Sequence, residues 1–251
     1  MGYRIAGLIV LLSLAAGPGA GQAKYTAPRT ADGRPDLSGF WQALNTAAVN
    51  LEPHTAILDM PAGLGVIVDP PDGEIPYQPW AAEKQKENFK NRAKADPVNS
   101  CYLAGVPRVM YMPFPIQILQ TPKYLIMASE YVHTVRNIFM QGQHLDGIDF
   151  WMGDSRGHWD GETLVVDVAD NNGETWFDRS GNFHSDALHV TERFTRTEPD
   201  IITYDATIED PKVFTKPWRI SMPLYRHREP NFKLLEYECN TYLEDAAKEA
   251  K

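Results

Sequence analysis

The sequence predicts a mainly β protein, a single antiparallel barrel of about eight strands with one helix and a long N-terminal loop. Three observations carry this. Short runs rich in β-branched and aromatic residues recur from Tyr124 to Cys239, turn signals separate them, and one segment alone has the composition of a helix. Strands that follow one another through short turns pair antiparallel more readily than in parallel.

The chain opens with Arg4, an apolar run from Ile5 to Ala16 and the small residues of Gly17 to Ala23. That order is the pattern of a secretory signal peptide, and the run is short of the about 20 residues that a membrane span needs. Residues 1–23 are therefore expected to be a cleaved leader and 24–251 one β-barrel domain, secreted or periplasmic, with no membrane insertion after cleavage; a cleavage site nearer Ala20 stays open.

Leu37 to Ala43 reads as the first strand, and the Pro- and Gly-dense stretch from Asn50 to Pro79 as a long surface loop. Pro79 then starts WAAEKQKENFKNRAKA, a run of strong helix formers that Pro97 ends. Tyr124 to Tyr131 and Val135 to Met140 read as a hairpin that places His133 near its turn. Asp160-Gly161, between Ser155–Trp159 and Glu162–Val168, is the strongest short hairpin signal in the chain. Ala187 to Thr197, Ile201 to Glu209, Trp218 to Leu224 and Leu234 to Cys239 continue the series.

Composition bounds the rest. Apolar residues at 43% allow a sizeable core, and a net charge of −9 without a cluster of Lys and Arg argues against nucleic acid as a partner. The oligomeric state is not legible. Cys101 and Cys239 are either a disulfide, worth ~4 kcal/mol in an exported chain, or two buried thiols.

Gly39-Phe40-Trp41 at the first strand is similar to the GxW signature of the calycin, or lipocalin-like, barrels. The resemblance implies a tryptophan closing one barrel end beneath an arginine from a late strand, here Arg226 or Arg228. The order PFPIQILQTP, WMGDSRGHWDGETLVVDV, DRSGNFHSDALHVTERF and LLEYEC resembles a widespread family of exported bacterial proteins. That likeness implies that His184, Ser185, His189, Glu192 and Arg193 belong to a shared motif, and it supplies no reaction.

Strand alternation divides this motif. Leu188, Val190, Glu192 and Phe194 share one face, His189, Thr191, Arg193 and Thr195 the other, and the apolar face points inward. An inward carboxylate is either raised in pKa and fit for acid–base work, or held charged as an internal fixture by Arg136, Arg193 or Arg219. His184 and Ser185 lie in the loop before the strand. If that loop and the turn carrying His133 share a barrel mouth, His184, His133 and Glu130 are expected to form a polar cluster over the cavity. His184-Ser185-Asp186 is not a catalytic triad, because adjacent residues cannot align nucleophile, base and orienter.

The leading expectation is an enzyme acting by acid–base chemistry on a small apolar or aromatic molecule, as an isomerase, cyclase or lyase. Glu192, His184 and His133 are its catalytic candidates. Arg136, Glu130, Arg193, His189 and Ser185 are candidates for substrate contact, and no cofactor or metal is assigned. The first alternative is a binding or carrier barrel without turnover. The second is a zinc or iron enzyme built on His133, His184, His189 and a carboxylate.

Overall fold

The structure is a computed structural model that describes residues 25–145 and 147–239. The expected leader lies outside the described residues. The elements are β1 (Gly39–Ala43), β2 (Ile67–Asp69), α1 (Pro79–Ala95), β3 (Ile116–Gln120), β4 (Tyr124–Ser129), β5 (Val135–Phe139), β6 (Asp154–Asp160), β7 (Thr163–Ala169), β8 (His189–Glu198), β9 (Ile201–Glu209) and β10 (Trp218–Arg226).

Strand order is β1-β3-β4-β5-β6-β7-β8-β9-β10, and β10 pairs back onto β1 to close a lipocalin-like barrel of nine strands. The free edge of β10 is divided: Arg219 and Ile220 pair with β2, and Leu224 to Arg226 pair with β1.

The expected all-antiparallel meander is corrected at one seam. Neighbours in a closed ring can alternate direction throughout only if the strand number is even, so nine strands require one parallel pair. That pair is β5 with β6, matched only at Ile138↔Ser155 and Phe139↔Arg156. A parallel step needs a crossover rather than a hairpin, and residues 140–153 supply it.

The expected strand at Leu234–Cys239 forms no ladder. This segment is instead strapped along the barrel by the Cys101–Cys239 disulfide and by Tyr237, whose ring lies 4.9 Å from that of Phe114 and 5.6 Å from that of Tyr131. β2 and β3 are strands that the sequence pattern did not announce.

Inside, alternation holds along β8, β9 and β10. Val190, Phe194, Ile202, Tyr204, Ile208, Trp218 and Ile220 are buried in one continuous core, so side chains fill the barrel interior. Trp41 is buried at one end, its indole nitrogen donating to the Leu37 carbonyl at 2.9 Å, with the guanidinium carbons of Arg226 and Arg196 each 5.6 Å from its ring. Arg226 fills the late-strand role, while Arg228 is exposed and pairs with Asp200. Gly39 sits at φ +140°, a backbone conformation that L side chains rarely adopt, so the motif's glycine is required by the chain path beside Trp41.

The helix α1 turns Ala81 and Asn88 inward, and Asn88 Nδ2 donates to the Gly181 carbonyl at 3.1 Å. Trp80 stays largely exposed, so the small residues carry the packing face. Beyond the helix C-terminus, Asp96 accepts two bonds from the buried Arg108 guanidinium, at 2.8 and 2.7 Å.

Candidate functional site

β8 places Glu192 inward, fully buried, as the alternation requires. From β5, across the interior, Arg136 Nη1 donates to Glu192 Oε1 at 3.1 Å and Nη2 donates to Oε2. The Tyr204 hydroxyl of β9 donates to Oε1 at 2.8 Å, and Arg136 Nε donates to Ser155 Oγ at 3.0 Å. Burial, with the adjacent Glu192 charge, pushes the Tyr204 phenol well above its ordinary range. Of the three arginines weighed as partners for Glu192, the fold selects Arg136. A bidentate guanidinium and a phenol together occupy both carboxylate oxygens.

The expected cluster of loop residues over the barrel mouth does not assemble. His184 is buried: its Nδ1 lies 2.8 Å from the Ser185 carbonyl and its Nε2 2.7 Å from Thr175 Oγ1. A carbonyl only accepts, so Nδ1 carries the proton and Nε2 accepts from the threonine. Burial lowers the pKa of this imidazole and keeps it neutral. Ser185 turns to Asp210, its amide and hydroxyl donating to the two carboxylate oxygens at 2.6 and 3.0 Å.

His133 is exposed and lies 2.8 Å from Glu238, while Glu130 accepts the Leu235 amide at 2.7 Å, so both serve the C-terminal strap. Arg193 points outward to Asp160 at 2.9 Å, and His189 Nε2 pairs with Asp167 Oδ1 on the same outer side. His133, His184 and His189 thus have separate partners, a carboxylate, a threonine with a carbonyl, and another carboxylate.

A concave feature with a largely apolar wall lies at the parallel seam. Where β5 and β6 part beyond their two matched pairs, a cleft of about 510 Å³ opens between β5 and residues 149–153, bordered by Val135, Phe139, Leu145, Trp151, Arg136 and Ser155. Asp149 and Asp154 supply negative charge at its lining. Tyr102 stacks on Trp151 with centroids 4.8 Å apart and planes within 4°. Around this opening the chain exposes Val135 (58%), Leu145 (46%) and Phe139 (42%), with Tyr102 (52%) stacked on Trp151 beside them. Arg136 and Ser155 join the cleft floor to the buried Glu192 network.

No family model, curated protein or solved structure matches this chain.

Beside the cleft stands a second polar group built around His144, a histidine that the sequence pattern did not single out. Its Nδ1 lies 2.9 Å from Asp154 Oδ2 and its Nε2 2.9 Å from Asp167 Oδ2. Burial alone would lower its pKa, but Asp167 and Asp154 outweigh that and raise it. Arg156 Nε also donates to Asp154 Oδ2, at 2.7 Å. His144 lies in the 140–153 crossover, where no periodicity marks a residue. Only the β6–β7 register, Asp154 opposite Ala169, brings its partners into reach.

Proposed function

We propose that the protein binds a small, neutral aromatic or apolar molecule in the cleft at the β5–β6 seam, as a binding or carrier protein without turnover. The observation that carries this reading is the exposed apolar rim around a concave, aromatic-walled cleft, because soluble monomers rarely leave such a patch open without use. The volume suits a ligand of one or two rings. The lining offers a ligand no uncommitted positive charge, since Arg136 is committed to Glu192, and Asp149 adds negative charge that disfavours an anion. The acid–base alternative draws less support, since Glu192 has both oxygens engaged and does not border the cleft. The Cys101–Cys239 disulfide supports export to an oxidising compartment. No described helix is long and apolar enough to cross a membrane.

Titration with N-phenyl-1-naphthylamine, read by its fluorescence and by tryptophan quenching, tests the proposal. The neutral probe is expected to saturate at one site and to bind more tightly than anionic 1-anilinonaphthalene-8-sulfonate. Trp151→Ala or Val135→Asp should weaken it about tenfold or more, equivalent to about 1.4 kcal/mol. Equal binding by wild type and both variants would place the probe elsewhere and overturn the assignment.

A further inference from the structure

We propose that His144, Asp154 and Asp170 form a binding site for one divalent transition-metal cation at the edge of the seam cleft.

Each of the three residues offers a ligand atom, and these atoms all lie within 4.8 Å of one another. Four-coordinate zinc holds ligands at about 2.0–2.2 Å, which sets neighbouring donor atoms about 3.3 Å apart, so small side-chain adjustments suffice to close on an ion. Three elements converge to make the group: His144 comes from the crossover, Asp154 begins β6, and Asp170 directly follows β7. The β6–β7 register places Asp154 opposite Ala169, one residue from Asp170.

Two further observations point to an ion rather than to a cluster of charges satisfied among themselves. Asp170 Oδ2 is shut off from solvent and has no hydrogen-bond partner, an arrangement that costs a carboxylate oxygen heavily unless something electropositive sits against it. His144 also has the orientation of a metal ligand. Its Nδ1 faces Asp154, while Nε2 is held 2.9 Å from Asp167 Oδ2, and Asp167 is itself braced through Oδ1 by His189. A ligating histidine characteristically donates one ring N–H to a carboxylate in this way; Asp167 takes that role at Nε2, and Nδ1, whose proton faces Asp154, must give that proton up to bind the metal. On binding, the cation replaces the proton that Nδ1 shares with Asp154, and that proton leaves to solvent.

The donor set of one imidazole and two carboxylates selects zinc or manganese over calcium, which prefers oxygen alone. Arg156 opposes the ion, since its Nε holds Asp154 Oδ2 at 2.7 Å and its charge stands beside the site. Removing that competitor should strengthen binding.

The test is isothermal titration of the chelator-stripped full-length protein with Zn²⁺ and with Mn²⁺, alongside elemental analysis after dialysis. The expected result is one ion per chain, about tenfold or more weaker in Asp170→Asn and His144→Gln, unchanged in the surface control His133→Ala, and tighter in Arg156→Gln. Asp170 sits at φ +58°, which asparagine tolerates, so the Asp170→Asn fold should persist and is checked by circular dichroism. Absence of stoichiometric binding in the wild type, or retention of it in both Asp170→Asn and His144→Gln, would overturn the site.

Discussion

Arg136 on β5 and Glu192 on β8 meet across the packed barrel interior, each nearly or wholly without solvent contact, in a two-point guanidinium–carboxylate pair. Two intervening strands separate them in the sheet, so the contact spans the barrel rather than linking neighbours. Such a pair contributes modest net stability but a large penalty when half of it is removed.

Glu192→Gln should therefore destabilise the protein by about 3–5 kcal/mol, since it leaves the Arg136 charge buried beside a neutral amide. Replacing both residues with methionine should recover most of that loss. Urea denaturation monitored by circular dichroism measures both. A Glu192→Gln protein as stable as wild type would mean that the pair does not pin the interior.

Cys101→Ser combined with Cys239→Ser should lower stability by about 4 kcal/mol, because the bond closes a long loop between residues 138 apart in sequence. The strap also depends on the Glu130 bond to Leu235 and the contact of Tyr237 with Phe114, which are weaker ties. Limited proteolysis should consequently cut the variant first within residues 230–239. Unchanged cleavage there would show that these secondary contacts suffice.

Asp178 gives the protein a definite pH response. Its carboxylate is fully buried, and burial raises its pKa to about 7 despite bonds from the Leu51, Ser180 and Asn182 amides and the Asn182 side chain. The folded state therefore holds a proton that the unfolded chain has released above about pH 4. Stability should fall as pH rises from about 4 to 7, by on the order of 4 kcal/mol from this group.

Asp178→Asn is the check, by denaturation at several pH values. The amide is neutral at every pH, so the stability of the variant should decline less with rising pH than that of the wild type. Parallel pH curves for the two proteins would remove Asp178 as the cause.

Much of the fold was legible before any coordinate. The Asp160-Gly161 turn, the β8 and β9 strands, the helix beginning at Pro79 and the inward face of Glu192 all follow from local rules of turn chemistry, propensity and alternation. The Gly39–Trp41 signature located one barrel end and named Arg226 among two candidates, which the 5.6 Å contact decided. β3 was less legible, because IQILQ is a short apolar run without a hairpin signal before it. The Leu234–Cys239 run has strand composition but finds no open edge, since β10 already pairs with β1, β2 and β9.

The candidate site was the least legible part. Alternation identified Glu192 as buried but left its partner among three arginines, because the choice depends on which strands face each other across the barrel. His184 drew notice from the dense charge around it, yet it closes on Thr175 and Ser185 inside the fold. His144 drew none, sitting in a crossover without pattern, and its neighbours Asp154 and Asp167 lie on two strands whose register fixes their spacing.

The sequence by itself determined β1, β4 to β10, the helix and the inward acid, because each depends on residues close along the chain. Tertiary structure alone decided the ninth strand and with it the single parallel seam, since strand parity belongs to the closed ring and not to any segment. That seam opens the apolar cleft and brings His144, Asp154 and Asp170 together. The disulfide was likewise settled in space, where a 5.7 Å Cα separation joins two cysteines that the sequence leaves far apart.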